Sequence, residues 1–287
     1  MTDLLFGVFP VPEADRQDEV VEQVLLAERL GLDLAGIQDH PYQRRYLDTW
    51  ALLGYLAGRT ERIRLFPDVA NLPLRPPALM AKAAASLDRL SGGRFELGLG
   101  AGAFWEAIGA LDGPVRSGPE SVDALEEAIG IIRRVWAGER GIKADGKHYR
   151  LRGAHGGPPP AHDIGIWLGA YGPRMVRMVG RLADGWIPSL SNLPLDEALK
   201  RQDMIDEAAT RAGRDPASIV RLANVKGVIT GGEHDGWLRG PAGHWVEELA
   251  RLHTEYRFDG FIFWPDHEDV LGQTELFAGV REELVTQ

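Results

Sequence analysis

An aspartate and a histidine stand side by side at Asp39-His40, where a short apolar run, Leu34–Gln38, gives out. Histidine titrates near neutrality, so at a strand end it can take or give a proton, with a neighbouring carboxylate to orient it. A lone loop histidine is more often a packing residue. The place of His40 after a predicted strand is what singles it out.

Two glycine-rich turns could hold a ligand. Gly98–Ala103 reads Gly-Leu-Gly-Ala-Gly-Ala and fits the dinucleotide fingerprint loosely. It follows the fourth predicted strand, however, and no clear helix is expected until about Ser121, so a backbone-lined bed for a flat ring fits better. Gly169-Ala170-Tyr171-Gly172 runs into Pro173-Arg174 and a helix. Free N–H groups at a helix start can hold an anion, to which Arg174 could add charge, although a plain tight turn explains the segment equally well. Tyr42, Tyr46, Phe104, Trp105, Tyr171, Trp186 and Trp264 fall at or after predicted strands and could line a pocket for a planar or apolar ligand. Packing accounts most readily for Trp186 and Trp264. His148, His155 and His162 recur at equal spacing but match no common ligand pattern, so no metal site is expected.

The elements that must position these residues alternate short apolar runs with helical stripes, the signature of parallel βα units. Strands are expected at Leu4–Phe9, Leu34–Gln38, Ile63–Phe66, Arg94–Leu99, Ile164–Leu168, Trp186–Pro188, within Ile219–Ile229 and at Gly260–Trp264. Helices are expected at Glu19–Leu30, Trp50–Ala57 (capped by Asp48), from Pro77 to Leu90, and at Ser121–Trp136, Arg174–Leu182, Asp196–Ala212, His244–Tyr256 and Val270–Leu284. Eight such units in 287 residues point to one α/β domain, a single (β/α)₈ barrel, rather than an open doubly wound sheet. One irregular excursion, Glu139–His162, separates the fourth helix from the fifth strand and is too long for an ordinary connection.

Composition narrows the functions. A net charge of −10 argues against general binding to nucleic acid or anionic membranes. The chain has no cysteine, which excludes disulfides, thiolate catalysis and cysteine-bound metal. Met1–Phe6 lacks the basic and apolar stretches of a signal peptide, and no run approaches the roughly 20 apolar residues of a membrane span, so a cytoplasmic protein is expected.

Taken together, Gly36-Ile37-Gln38-Asp39-His40-Pro41, the stretch Leu87–Gly102 with its Ser91-Gly92-Gly93-Arg94-Phe95 core, and Ile166–Gly172 with Ala183-Asp184-Gly185-Trp186 resemble the luciferase-like monooxygenase superfamily. That superfamily includes bacterial luciferase and the deazaflavin-dependent reductases and dehydrogenases. The resemblance implies a (β/α)₈ barrel holding coenzyme F420, or alternatively FMN, at its C-terminal mouth. The ring would lie over Asp68, Val69, Ala70, Gly100, Ala101 and Gly102, with a non-prolyl cis peptide at Asp68-Val69. The cofactor phosphate would sit at Gly169, Ala170, Tyr171 and Gly172. His40 would manage a proton, Asp39 would orient it or contact the cofactor, and Tyr42, Phe104, Trp105 and Trp264 would border a small-molecule substrate. Ala103 stands where some deazaflavin dehydrogenases carry an acid, a departure that counts against sugar-phosphate chemistry. The FMN alternative is a monooxygenase fed by a separate reductase, and a non-catalytic homologue is the rival of another class. The resemblance also implies a homodimer, for which Ala81, Ala83, Ala84 and Ala85 offer a small-residue face.

Overall fold

Residues 4–286 are described in the structure, a computed structural model; Met1–Asp3, part of the segment read for a leader, lie outside them. The strands are β1 Leu5–Val8, β2 Leu34–Ile37, β3 Arg64–Pro67, β4 Ala70–Asn71, β5 Leu97–Gly100, β6 Ile142–Asp145, β7 Arg150–Ala154, β8 Ile166–Leu168, β9 Gly185–Trp186, β10 Val220–Ile229, β11 Arg239–Gly240 and β12 Gly260–Pro265. The α-helices are α1 Gln17–Arg29, α2 Thr49–Ala57, α3 Pro77–Ser91, α4 Trp105–Ala110, α5 Gly118–Trp136, α6 Pro173–Leu182, α7 Leu195–Arg211, α8 Ala242–Thr254 and α9 Val270–Thr286.

The main sheet runs β3-β2-β1-β12-β10-β9-β8-β5-β4, every neighbouring pair parallel. It closes because β3 and β4 are two halves of one strand. The lower half bridges the segment before β5 at Leu65–Phe95, and the upper half pairs with β5 itself. This is the expected barrel. β2, β5 and β8 are buried along their whole length, as strands covered on both faces must be. Two apolar clusters follow from closure: a large shell between strands and helices, and a smaller plug inside the barrel built on Phe9, Phe66, Trp167, Ile187, Leu222 and Ile262.

Local chemistry sets the helix ends. Asp48 accepts hydrogen bonds from Trp50 N and Ala51 N, each at 3.0 Å, and so starts α2. Pro77 opens α3, and Gly92, at φ 74°, closes it in the left-handed conformation that glycine adopts freely. α5 begins three residues before the expected Ser121, because Ser117 and Glu120 form a reciprocal capping box. The short helix α4 lies where no helix was expected; six residues are too few to show a clear period.

The excursion contains an antiparallel hairpin, β6–β7, with its first strand outside the stretch expected from Lys147 to Arg152. Its turn is held on α5 by Glu127, which accepts from the backbone N–H groups of Lys147, His148 and Tyr149. Its return is held at the foot of α3, where Asp88 accepts from Ala161 N at 2.6 Å and His162 N at 3.1 Å. The three evenly spaced histidines therefore part company: His148 is on Glu127, His155 accepts from Gly141 N, and His162 is on Asp88. The small-residue face of α3 turns inward. Ala81, Ala84 and Ala85 have no exposed surface and pack on the barrel, while Ala83 of the same stretch is half-buried.

Candidate active site

A cavity of about 550 Å³ opens at the C-terminal end of the barrel. That is within the range of cofactor and ligand pockets. Its lining draws on the ends of β2, β4, β5, β8, β10 and β12 and the loops that follow them. The structure brings together there Asp39, His40, Tyr42, Asp68, Val69, Ala70, Gly100, Ala101, Gly102, Phe104, Gly169, Tyr171 and Trp264.

Of the cofactor and substrate residues that the resemblance implied, Ala170, Gly172 and Trp105 are absent from this lining, as is Trp186, which is fully buried. Ala170 is fully buried, its carbonyl accepting the Trp186 indole N–H at 2.8 Å. Gly172 lies past the cavity edge at the cap of α6. Trp105 turns its ring onto the backbone of Gly102, where a Cβ would come within 2.8 Å of it, and buttresses the glycine loop from behind. The sequence places Trp105 beside Phe104. The left-handed conformation of Phe104, φ 54°, separates their directions and leaves Phe104 at the mouth, 66% exposed.

The floor is backbone. The Asp68–Val69 peptide is cis, and the Val69 side chain faces Gly98 and Gly100 of β5 and Gly169 just past β8. A Cβ on Gly100 would meet Val69 Cγ2 at 2.7 Å, and one on Gly169 would meet it at 3.3 Å. At Gly98, where a Cβ would meet Pro67 O at 2.1 Å, and at Gly100 there is no room for a side chain, and the result is a smooth bed with one apolar side chain rising from it. Around the bed, buried polar atoms lack partners: Gln38 Nε2, Asp68 Oδ2, Asn71 Oδ1 and Asn224 Oδ1. Residues bordering a cavity with both donors and acceptors unspent fit a flat heterocycle with a polar edge. The start of α6 has no side-chain cap, which leaves its first-turn N–H groups for an anion. Arg174 does not add free charge there, because it is paired with Asp123.

Asp39 and His40 part ways despite being neighbours. The Asp39 carboxylate accepts from Asn71 N at 2.9 Å and takes both Nε and Nη2 of Arg75, at 2.7 and 2.8 Å. It ties the end of β2 to the entry of α3, and it does not hydrogen-bond to His40. Arg75 also reaches Asp48 at 2.7 Å, and Thr49 Oγ1 donates to Gln38 O at 2.7 Å, so the start of α2 joins the same network. His40 Nδ1 instead meets Tyr42 Oη at 2.6 Å, and Phe104 closes its edge with ring centroids 5.8 Å apart. Nε2 has no protein partner among the described residues, on a side chain that lines the cavity.

Burial pushes the His40 imidazole below its ordinary value, the Asp39 charge opposing, so it is neutral at neutral pH. Burial, then the Asp39 charge, pushes the Tyr42 phenol up to about 12, and it keeps its proton. Asp68 is different again. It is 7% exposed, its carboxyl accepts from Asn224 Nδ2 at 3.3 Å, and burial pushes it up to about 7. Arg75 and Asn224 are the positions that sequence reading missed. Asn224 had a signal, a lone amide within the apolar run Leu222–Val225. Arg75 had none, since its partner lies 36 residues away.

Residues 5–235 match the luciferase-like monooxygenase family. The chain belongs to that family. It is 38% identical over 196 residues to a phthiodiolone/phenolphthiodiolone dimycocerosates ketoreductase of Mycobacterium kansasii, a match covering 66% of this chain and 51% of the relative. The match thus spans about half the length of that relative. It is 32% identical over 230 residues to an F420-dependent glucose-6-phosphate dehydrogenase of Microbacterium testaceum, covering 78% and 68%. Among solved structures, an F420-dependent secondary alcohol dehydrogenase superposes with TM-score 0.87 at 17% identity, covering 98% of this chain and 99% of that one. A long-chain alkane monooxygenase superposes with TM-score 0.84 at 14% identity, covering 100% and 92%. These structural likenesses show the shared fold.

Proposed function

We propose that this family member is an F420-dependent oxidoreductase acting on a carbon–oxygen bond of a small organic molecule. The carrying observation is the pairing of the Val69 bed with a neutral histidine whose Nε2 is free at the same cavity. The relatives support it: one is a ketoreductase and another an F420-dependent dehydrogenase.

When bound, coenzyme F420 supplies a site that accepts or donates hydride. The glycine-lined bed around Val69 would hold its ring, and the uncapped start of α6 with Gly169 and Tyr171 would hold its phosphate. The chain's own task is then proton handling, orientation and exclusion of water. With Nδ1–H donating to Tyr42 Oη, Nε2 of His40 is the atom that takes the hydroxyl proton of an alcohol, and its protonated form returns one to a carbonyl oxygen. Tyr42 holds the ring's orientation and Arg75 holds the segment bearing it, through Asp39.

Paired titrations with oxidised F420 and with FMN, followed by tryptophan fluorescence, test the cofactor. Micromolar F420 binding with much weaker FMN binding is expected. An FMN preference would move the protein to the monooxygenase branch and its partner reductase; binding of neither would favour a non-catalytic homologue.

A further inference from the structure

One part of the cavity rim is built unlike the rest. Around most of the mouth the loops are tied by polar bonds: Asp39 and Asp48 hold Arg75, Asp123 holds Arg174, Tyr171 O accepts from Arg201 Nε at 3.0 Å, and Asp266 holds Lys226 and Arg239. Phe9 and Trp264, stacked with centroids 4.8 Å apart, make a further fixed wall. Among the described residues, the segment from Ala103 to Val115 has no hydrogen bond or ion pair to anything outside itself. Its backbone bonds are internal, such as Ile108 N to Phe104 O at 3.1 Å and Gly113 N to Ile108 O at 3.0 Å. The segment sits on apolar contacts alone: α4 buries one residue, Ile108, the Trp105 ring rests on Gly102, and a Cβ on Gly113 would meet Leu74 Cδ2 at 2.6 Å. Apolar contacts have no preferred direction, so they let a packed segment slide where hydrogen bonds would pin it.

This segment also carries strain and exposure. Phe104 holds a left-handed backbone at φ 54°, and Asp112, past the other end of α4, does so at φ 60°. A bulky aromatic takes that conformation only where its surroundings hold it, and such residues gather at binding sites. The effect at Phe104 is to stand the ring edge-on to His40, at 81° with centroids 5.8 Å apart, and against Tyr42 at 5.9 Å. Phe104 is otherwise open, 66% exposed at the mouth. An apolar ring left open beside a cavity gains free energy when a ligand covers it.

We propose that Phe104 is the gate and a specificity-determining residue of this site: the flap Ala103–Val115 shifts on its apolar seat, and its closure lays the Phe104 ring over an entered substrate and shuts water away from His40 Nε2. This deepens the oxidoreductase reading above and rests on it for the reaction, but not for the gate. Closure serves the proton step, because an imidazole open to bulk water exchanges its proton with solvent rather than with substrate. It also limits shape. With 5.8 Å between the two ring centroids, a group held at Nε2 has Phe104 as its neighbour, so branching beside the reacting carbon meets the ring.

Access is read without any cofactor, by diethyl pyrocarbonate modification of His40 resolved peptide by peptide, with the exposed His155 of the excursion as reference. Modification tracks the fraction of molecules whose imidazole is uncovered, so Phe104→Ala and Phe104→Gly should each speed His40 about tenfold and Phe104→Trp should slow it, with His155 unchanged. Glycine is at ease in the left-handed conformation and keeps the course of the flap, so agreement between the Gly and Ala variants assigns the effect to the ring. Closure is read by amide hydrogen exchange: Trp105–Gly113 should exchange more slowly once F420 and a straight-chain methyl ketone are both added, and Phe104→Gly should lose that slowing. Selectivity is read with reduced F420 and two methyl ketones, one straight and one branched beside the carbonyl. Phe104→Gly should narrow the kcat/KM ratio between them about tenfold, through KM for the branched one. Unchanged His40 modification, a gain in Ala that Gly does not share, exchange indifferent to the added pair, or an unchanged ratio would overturn the proposal. The expected modification pattern without turnover of either ketone would uphold the gate and sink the oxidoreductase reading instead.

Discussion

The two ends of the barrel each carry a histidine among carboxylates, and they are built to opposite specifications. At the base, Asp88 is fully buried and accepts from Ala161 N, His162 N, His162 Nδ1 and Phe95 N. Glu96 accepts from Gly165 N, and Arg94 donates to Thr60 Oγ1 and to the carbonyls of Ala57, Thr60, Ile63 and Ser91. In this cluster the polar groups are matched, and Glu96 and Asp88 push His162 up to about 8. At the mouth, four buried amide or carboxyl atoms have no partner, His40 is pushed down, and Asp68 is held without a cation. Satisfied polar groups bring stability, and unspent ones bring capacity to bind and react. The difference sets a matched polar cluster at the base against unspent polar groups at the mouth, where the proposed chemistry would take place.

That division can be broken at its strongest point first. His40→Ala should lower kcat by about 10²–10⁴-fold while the melting temperature stays near wild type. Unaltered kinetics would remove His40 from the mechanism, and a lower melting temperature would return it to the packing. The reciprocal change at the base, Asp88→Ala, strands several backbone donors and should cost about 3 kcal/mol in denaturant unfolding. Turnover per folded molecule should not move; if it does, the base is not merely structural. Between these lies Arg75→Lys, which loses the bidentate grip on Asp39 and should reduce kcat/KM about tenfold, with little change in affinity for a short-chain ketone. A loss confined to stability would mean the network does not position His40.

The smallest expected effects are in pH dependence, and their signs separate the groups. Asp68 is raised from 3.8 to about 7, so its contribution to cofactor-free stability is present below 3.8 and is lost as pH rises through about 7. His162 is raised from 6.5 to about 8, so its contribution is present below 6.5 and lost as pH rises through about 8. Asp68→Asn should remove the lower of these two slopes in a melting-temperature profile, and His162→Gln the upper. His40 runs the other way: lowered from 6.5, its contribution is present above 6.5 and lost as pH falls through its folded value. Alcohol oxidation should fall with it on the acid side, and a profile with no acid limb would count against His40 as the base.

The sequence determined the barrel and pointed to its C-terminal mouth, because buried parallel strands impose short apolar runs and helices impose caps, both written locally. Leu34–Ile37 needs no partner to be recognised as a buried strand, and Asp48 needs only Trp50 and Ala51 to cap α2. The family motif supplied the Asp68–Val69 position, and the place of His40 after a strand puts it in the cavity lining. What the sequence could not settle is which way neighbouring side chains face and whom they meet. Asp39 and His40 are adjacent in the chain, yet Arg75 captures one and Tyr42 the other; Phe104 lines the cavity while Trp105 packs behind it. α4, α3's inward alanines and the Phe9–Trp264 wall were likewise decided only on closure. Local hydrogen bonds and periodicity act over a few residues and leave their mark in the order of the chain. Pairings across 36 or 255 residues depend on how the closed barrel brings strand ends together, and only the tertiary structure fixes that.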